Sequence, residues 1–168
     1  NGLLCGSCLR APPAFDRVIA PWLYDEYFAH LIHRWKYHRE QHMTPLLASL
    51  WLQHAALDAA IDVIVPVPLH WRRRWQRGFN QSELLSRQLH ATCPELQSCE
   101  IAHRLIRRQR STAAQSGMSA RRRASNLKGA FTVHKPCDNL RIAIVDDVLT
   151  TGATATAVAS ALSAAGAA

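Results

Sequence analysis

The hydrophobic residues of this chain recur at two spacings, one typical of helices and one typical of strands. Between Trp22 and about Tyr37, apolar residues occur in adjacent pairs four positions apart, which predicts an amphipathic helix. A second helix is predicted to start at Thr44 and Pro45, because proline is tolerated at the first helical position. Its expected buried face consists of Leu46, Leu47, Leu50 and Trp51.

Two more helices are predicted further along the chain. Asn80 is expected to cap the first of them, and Glu83 three residues later completes a capping-box-like start. The expected inward side chains of this helix are Leu84, Leu85 and Leu89. The second helix covers residues 153–165 and is rich in alanine.

Short apolar runs between these helices predict buried strands. Residues 61–67 and 141–145 are rich in valine and isoleucine, as is typical of strands buried on both faces. Further strands are expected within residues 100–106 and near residues 131–133. Because strands alternate with helices, the expected fold class is α/β, with a mainly parallel central sheet flanked by helices.

The basic residues lie mostly in predicted connecting segments. Residues 68–79 are expected to form a basic loop, and residues 107–120 a mobile loop that leads to a short helix through about Asn126. The formal net charge of +8 favours a polyanionic partner, either nucleic acid or polyphosphate, although a solvated basic surface explains it equally well. Much of the positive charge is concentrated in three clusters of basic residues, which are Arg72, Arg73, Arg74 and Arg77; Arg104, Arg107, Arg108 and Arg110; and Arg121, Arg122, Arg123 and Lys128.

Length and cysteine usage set the expected organisation of the chain. Its 168 residues suffice for one folded domain, which we place at residues 15–168 after a zinc-knuckle remnant and linker at residues 1–14. Cys5 and Cys8 form a C-x-x-C pair, which is half of a four-ligand zinc site. No apolar run approaches the roughly 20 residues that cross a membrane, and no signal peptide opens the chain, so we expect a cytoplasmic protein without membrane insertion.

The most informative segment covers residues 142–154, Ile-Ala-Ile-Val-Asp-Asp-Val-Leu-Thr-Thr-Gly-Ala-Thr. A buried strand delivers Asp146 and Asp147 to its carboxyl end, where open α/β sheets bind ligands. The following loop opens directly into a helix, whose backbone N–H groups and dipole favour a phosphate. Gly152 permits close approach of the backbone. The hydroxyl donors of this loop are Thr150, Thr151 and Thr154.

This combination suits a sugar phosphate better than a bare phosphate. Asp146 and Asp147 would repel a phosphate, but they can accept hydrogen bonds from the 2′ and 3′ hydroxyl groups of a ribose. The alternative is an ordinary strand–loop–helix turn whose acids cap the helix. A Walker-type P-loop is excluded, because the chain contains no Gly-Lys-Ser or Gly-Lys-Thr sequence.

The segment resembles the binding signature for 5-phosphoribosyl 1-pyrophosphate (PRPP) of type I phosphoribosyltransferases. Residues 65–81, residues 110–115 and the pair Ala130-Phe131 are similar to a particular branch, the ComF/GntX-like competence-protein family. The resemblance covers nearly the whole chain, with three separated motifs in the same order. It implies a type I phosphoribosyltransferase fold for residues 15–168.

The resemblance also implies roles for individual residues. Asp146 and Asp147 would be the catalytic acids that bind the ribose hydroxyl groups. The 5-phosphate would be bound by Thr150, Thr151, Gly152, Ala153 and Thr154. The pyrophosphate loop would comprise Pro68, Leu69, His70, Arg72 and Arg73, with Arg77, Gly78, Phe79 and Asn80 shaping that side of the pocket. A flexible loop that closes over the reaction would contain Arg110, Thr112 and Gln115.

In enzymes of this kind Mg²⁺ binds together with PRPP and bridges pyrophosphate and ribose oxygens while a nitrogenous nucleophile attacks C1. The family also carries a four-cysteine zinc knuckle, and Cys5 and Cys8 match its second pair. Since the first pair is missing and the chain stops at Ala168 before the strand expected next, we expect a fragment of a longer protein. Zn²⁺ is therefore an expectation for the full-length protein.

Several aromatic and histidine residues leave alternatives open. His70 lies beside the expected pyrophosphate loop, where a structural role is favoured over a catalytic one. Trp71 and Trp75 are interleaved with arginines and would either stack on bases or pack over the loop. On the first helix a polar face is favoured over a metal site for the histidines His30, His33 and His38.

Two functions of different classes follow. One is a Mg²⁺-dependent phosphoribosyltransferase, and the other is a binding module of DNA uptake that senses PRPP or holds single-stranded DNA on its basic face.

Overall fold

A computed structural model of the chain describes residues 12–55, 57, 60–109, 127 and 129–168. Five α-helices and five strands lie in this part, together with short 3₁₀ turns at Gln41–Met43 and Pro94–Leu96. The helices are α1 (Glu26–Tyr37), α2 (Thr44–His54), α3 (Trp71–Arg77), α4 (Gln81–Thr92) and α5 (Ala153–Ser163). The strands are β1 (Val63–Pro66), β2 (Glu100–Ile101), β3 (Ile106–Arg108), β4 (Phe131–Val133) and β5 (Ile142–Val145).

The central sheet is parallel and has the order β2-β1-β5. Strand β1 is buried along its whole length, as its uninterrupted apolar sequence predicts. Its partner β5 is aligned so that Val63 lies opposite Ile142 and Pro66 opposite Val145. Both strands therefore end at the same edge of the sheet. The expectation of a mixed α/β fold with a parallel sheet flanked by helices is confirmed.

An ion pair ties β1 to β5 immediately before both strands begin. Arg141 donates from Nε and Nη2 to the two carboxylate oxygens of Asp62, at 2.9 and 2.8 Å. The backbone N–H of Arg141 donates to the same carboxylate at 2.9 Å. These hydrogen bonds from Arg141 lower the pKa of Asp62 to about 2, so the carboxylate is charged at neutral pH.

The two faces of the sheet are covered by different elements. Ile64 packs on one side with Ala48 of α2 and Leu89 of α4. Val63 and Val65 point to the other side, where a larger set of buried side chains meets them. That set contains Ile106, Leu127, Ala130, Phe131, Cys137, Val158 and Leu162. This second face includes the antiparallel pair of β3 and β4. The sequence predicted the strand near residues 131–133, which is confirmed as β4, but not its antiparallel pairing with β3.

A third apolar cluster places α1 beside the carboxyl edge of the sheet. Ile32 and Trp35 are 3 % and 1 % exposed and pack with Met43, Leu47 and Phe79. Trp35 donates its indole N–H to Thr44 Oγ1 at 3.0 Å, which joins α1 to the start of α2. Val148, just beyond β5, packs against the same cluster.

Several predicted boundaries are corrected. Helix α1 begins at Glu26 and not at Trp22, because the Asp25 carboxylate caps it by accepting the N–H of Phe28 at 2.8 Å. Leu46, predicted to be inward, is 51 % exposed. The region expected to be a loop at residues 68–79 contains α3, and residues 100–106 contribute to two separate strands.

Other predictions are confirmed. Helix α2 begins at Thr44, with proline in its first turn. Asn80 caps α4, because its side chain accepts the N–H of Ser82 at 3.2 Å. His30 and His33 are exposed on α1, as a polar helix face requires, and His38 is exposed but lies just beyond the helix as its C-cap. In the part of the chain that the structure describes, no helix is both long and apolar enough to cross a membrane.

Candidate functional site

Asp146 and Asp147 directly follow β5, at the edge where β1 also ends. The N-terminal end of α4 reaches the same place: Asn80 donates from Nδ2 to the carbonyl of Val67 at 3.1 Å, just after β1. The carboxyl ends of two parallel strands, the start of α4 and the turn into α5 therefore surround the acid pair. This edge is where ligands of open α/β sheets bind.

The two acids have different neighbours. Asp146 Oδ1 accepts a hydrogen bond from Ser82 Oγ at 3.3 Å and another from the backbone N–H of Asp147 at 2.9 Å. Asp147 Oδ1 accepts from Lys36 Nζ of α1 at 2.8 Å. Each carboxylate thus has one oxygen that is held by a protein donor.

Burial and the neighbouring charge of Asp147 raise the pKa of Asp146 to about 7. The N–H of Asp147, the charge of Lys36 and the hydroxyl of Ser82 act in the opposite direction but are outweighed. Asp146 therefore exchanges its proton near neutral pH, unlike an exposed aspartate. A strongly shifted carboxyl group at the ligand edge of a sheet is typical of a functional site.

The turn from β5 into α5 leads directly into the helix, as the sequence predicts, and its backbone conformation is special at one residue. Gly152 lies at φ 72° and ψ 0°, which is left-handed backbone, and it is the N-cap residue of α5. A Cβ atom there would meet only the ring of Phe15, at 3.8 Å, so the conformation and not the space favours glycine. Because glycine has no side chain to cap the helix, the first N–H groups of α5 are available to a ligand.

The hydroxyl groups of this turn lie close to solvent. Thr150 and Thr151 are exposed, while Ala153 and Thr154 are half-buried in the first turn of α5. The turn is open, so a phosphate group can reach it from outside.

The segment predicted to bind pyrophosphate follows β1. Pro68 and Leu69 are half-buried, and His70 is 5 % exposed. His70 Nδ1 accepts the N–H of Arg72 at 3.3 Å and so caps α3. Burial and then the charges of Arg108, Arg72 and Arg73 lower the pKa of His70.

Helix α3 presents aromatic and basic side chains to solvent. Trp71 is 66 % exposed and Trp75 is 84 % exposed, one helical turn apart. The guanidinium group of Arg72 lies over the Trp71 ring at 5.2 Å from its centroid. The alternative that these tryptophans pack over a loop is wrong, because both rings point into solvent.

Arg108 of β3 and Lys36 are two residues near the site that the sequence did not reveal. Arg108 is 8 % exposed and lies over the ring of Phe131 at 5.6 Å. Burial first, and then the charge of Arg73, lower the pKa of Arg108, while the charge of Asp146 acts against them. Arg108 is thus close enough to feel both the basic segment and the acid pair. Only the pairing of β3 with β4 reveals this, since the sequence places Arg108 at the start of a loop.

Two groups of predicted site residues lie outside the described residues. These are the half zinc site, Cys5 and Cys8, and the flexible loop with Arg110, Thr112 and Gln115. Within the described ranges, no three histidine, cysteine, aspartate or glutamate side chains cluster as a metal site would require. The acid pair supplies two carboxylates, which match the oxygen ligands that Mg²⁺ prefers but leave its other positions to a ligand or water.

Comparison with known proteins relates the chain to proteins of DNA use and competence. The DNA utilization protein YhgH of Escherichia coli K12 is 40% identical over 170 residues, which cover 95% of this chain and 71% of that protein. The protein of the same name from Salmonella typhi is 40% identical over 166 residues, with the same coverage. Competence protein F of Haemophilus influenzae Rd is 36% identical over 162 residues, covering 89% of this chain and 68% of that protein. No family model matches the chain, and no solved structure matches it significantly.

Proposed function

Since the chain belongs to the ComF-like competence family that includes competence protein F and the YhgH proteins, we propose that it binds PRPP as part of DNA uptake or use. One observation carries this proposal. Two adjacent carboxylates lie at the carboxyl end of β5 and are followed, within one short turn, by a left-handed glycine that opens a helix. The names of the relatives support the process, and the geometry of the acid pair and the turn supports a sugar phosphate as the ligand.

Two parts of the site bind the two polar parts of a ribose 5-phosphate. The phosphate lies against the turn at residues 150–154, where the N–H groups of α5 and the threonine hydroxyl groups donate to it. The ribose hydroxyl groups donate to the free oxygens of Asp146 and Asp147. In this ligand a neutral sugar ring separates the phosphate from the two carboxylates, which reduces the repulsion between them.

The basic residues after β1 are suited to the pyrophosphate group of PRPP. Arg72 and Arg73 start α3, next to the carboxyl end of β1, and the charges of Arg73 and Arg108 act on each other. Two guanidinium groups close together favour an anion between them, because a dianion removes their mutual repulsion. Mg²⁺, bound with PRPP, would neutralise the leaving pyrophosphate.

The reaction implied by the resemblance is phosphoribosyl transfer. The bond between C1 and the pyrophosphate oxygen breaks, its electron pair leaves with pyrophosphate, and a nitrogenous nucleophile forms the new bond to C1. The residues described above contribute positioning and charge: the acids hold the ribose, the turn holds the phosphate, and the arginines receive the leaving group.

The pyrophosphate assignment predicts a difference between two ligands. Replacing Arg72 and Arg73 by alanine should weaken PRPP binding by tenfold or more and leave ribose 5-phosphate binding almost unchanged, since only PRPP carries the group these side chains bind. Isothermal titration calorimetry with Mg²⁺ present measures both affinities. The matched control is Arg104→Ala with Arg107→Ala, which removes the same charge from exposed positions. Equal losses for the two ligands would contradict the assignment.

A second function is favoured by the exposed face of α3. Trp71 and Trp75 offer two aromatic surfaces one turn apart, and no acidic residue occurs in this helix. Tyr37, 58 % exposed, is a further exposed ring near this helix, with the guanidinium group of Arg77 over it at 5.1 Å. Exposed rings beside arginines bind single-stranded nucleic acid by stacking and by phosphate contacts. This surface suits the single-stranded DNA of an uptake process.

Binding to single-stranded DNA should depend on the two tryptophans. We expect the double change Trp71→Ala with Trp75→Ala to weaken binding of a labelled oligonucleotide at least tenfold, since each base–ring stack contributes about 1–3 kcal/mol. Fluorescence anisotropy over a salt series measures the affinity, and the change should leave the salt dependence nearly intact. Tyr27→Ala, at a 77 % exposed aromatic residue of α1, is the control. If the double variant bound as tightly as the original protein, α3 would not be the DNA surface.

A further inference from the structure

We propose that Lys36 is a positioning residue of the sugar-phosphate site: its ammonium group fixes Asp147 so that the remaining carboxylate oxygen accepts one particular ribose hydroxyl group. The inference rests on the proposed function and adds to it a residue from a distant part of the chain. Its basis is the contact between Lys36 Nζ and Asp147 Oδ1, 2.8 Å long and formed between side chains that are only 15 % and 14 % exposed.

The contact is held from both sides. Ile32 and Trp35 on the neighbouring turn of α1 are almost completely buried, so the helix cannot rotate Lys36 away without exposing them. Asp147 follows β5 directly, and Val148 packs against the same cluster as Ile32 and Trp35. Fixing a long lysine side chain costs conformational entropy, and the Lys36 side chain, only 15 % exposed, is already restricted by its neighbours.

The partners of Asp147 leave one oxygen for a ligand. Oδ1 is occupied by Lys36, whereas no donor among the described residues reaches Oδ2. Asp146, in contrast, has Ser82 and the N–H of Asp147 on its Oδ1 and a pKa raised by burial and by the charge of Asp147. The positive charge of Lys36 partly offsets the repulsion between Asp146 and Asp147, so that the two side chains can lie side by side.

A purely structural salt bridge would behave differently from a positioning contact. If Lys36 only attached α1 to the sheet, its loss would change stability and would affect all ligands of the site alike. If it fixes Asp147, its loss should matter only when the ligand carries the hydroxyl group that Asp147 binds. The ligand's own hydroxyl groups therefore separate the two roles.

The test uses calorimetric titrations of the 168-residue chain with ribose 5-phosphate, 2-deoxyribose 5-phosphate and 3-deoxyribose 5-phosphate. Lys36→Met keeps the length of the side chain and removes its charge. We expect it to weaken ribose 5-phosphate binding about tenfold, the effect of a charge-assisted hydrogen bond. The same loss should occur with one deoxy ligand and should disappear with the other. Lys36→Arg should restore most of the affinity.

Lys135→Met is the matched control, because it removes the same charge at an exposed position far from the acid pair. Lys135 lies two residues before Cys137, whose N–H donates to the carbonyl of Ala165 just beyond the C-terminal end of α5. Equal losses with all three ligands, or no loss with ribose 5-phosphate, would overturn the role of Lys36. Failure of the unchanged protein to bind ribose 5-phosphate would instead overturn the proposed function. Thermal melting of each variant shows whether a loss comes from unfolding.

Discussion

Replacing both Asp146 and Asp147 by alanine should abolish PRPP binding and leave the domain folded. The two carboxylates supply the acceptors for the ribose hydroxyl groups, and hydrogen bonds to charged acceptors contribute about 1.5–3 kcal/mol each. The loss of both predicts an affinity at least a hundredfold lower. Isothermal titration calorimetry with PRPP and Mg²⁺ measures it, and circular dichroism reports the fold.

The fold should survive this change because the acids lie beyond the end of β5 and contribute no apolar packing. Asp16→Ala with Asp138→Ala, at two exposed positions, is the control for the altered net charge. An unchanged PRPP affinity in the Asp146 and Asp147 double variant would rule out the site.

Changing Asp146 to asparagine should stabilise the protein at alkaline pH and lose that advantage in acid. Burial and Asp147 raise the pKa of Asp146 from 3.8 to about 7, so the folded chain prefers the protonated form. The favourable contribution is complete below pH 3.8 and is lost as the pH rises through about 7. Each unit of pKa shift corresponds to about 1.4 kcal/mol, so the ionised group costs the fold a few kcal/mol.

Asparagine retains an oxygen that can accept from Ser82 and from the N–H of Asp147, and it cannot ionise. Urea unfolding of both proteins at pH 4 and at pH 8.5 measures the difference in free energy of unfolding. We expect Asp146→Asn to be the more stable protein at pH 8.5 and nearly equal at pH 4. A constant difference at both values would show that Asp146 does not carry the shifted pKa. If Asp146→Asn also binds PRPP more weakly, the ionisable carboxyl group is retained for ligand binding although it lowers the stability of the fold.

The features that the sequence predicted are those with local signals. The strands β1 and β5 are uninterrupted apolar runs, and the cap at Asn80 depends on a residue two positions away. The prediction of the candidate site also rests on a local signal, since the acids and the threonine-and-glycine turn lie within nine residues of each other.

Helix α3 was missed although its signals were local. Arginine favours helices, His70 caps the first turn, and Gly78, at φ 84°, ends it by donating its N–H to Arg74. The basic character of the segment outweighed these signals in the prediction of a loop. The lesson is that charge says little about secondary structure, whereas capping residues at both ends say much.

The remaining features depend on residues far apart in the chain. Lys36 and Asp147 are separated by 111 positions, and no periodicity within α1 distinguishes Lys36 from a solvent-exposed lysine. Arg108 reaches the site only because β3 pairs with β4, across residues 109–130. Tertiary packing determines such contacts, so pattern analysis of one sequence does not reveal them.

The ion pair between Asp62 and Arg141 has a consequence at the opposite end of the sheet. Since β1 and β5 are apolar at every position, sliding one past the other by a single residue would sacrifice little burial, yet it would turn every side chain of the sliding strand to the opposite face. Hydrophobicity alone therefore leaves the aim of Asp146 and Asp147 undecided. The Asp62 carboxylate accepts hydrogen bonds from the guanidinium group and the backbone N–H of Arg141 at the start of these strands. These bonds fix the register of β5 against β1 and thereby the direction in which Asp146 and Asp147 point at the other end of the sheet.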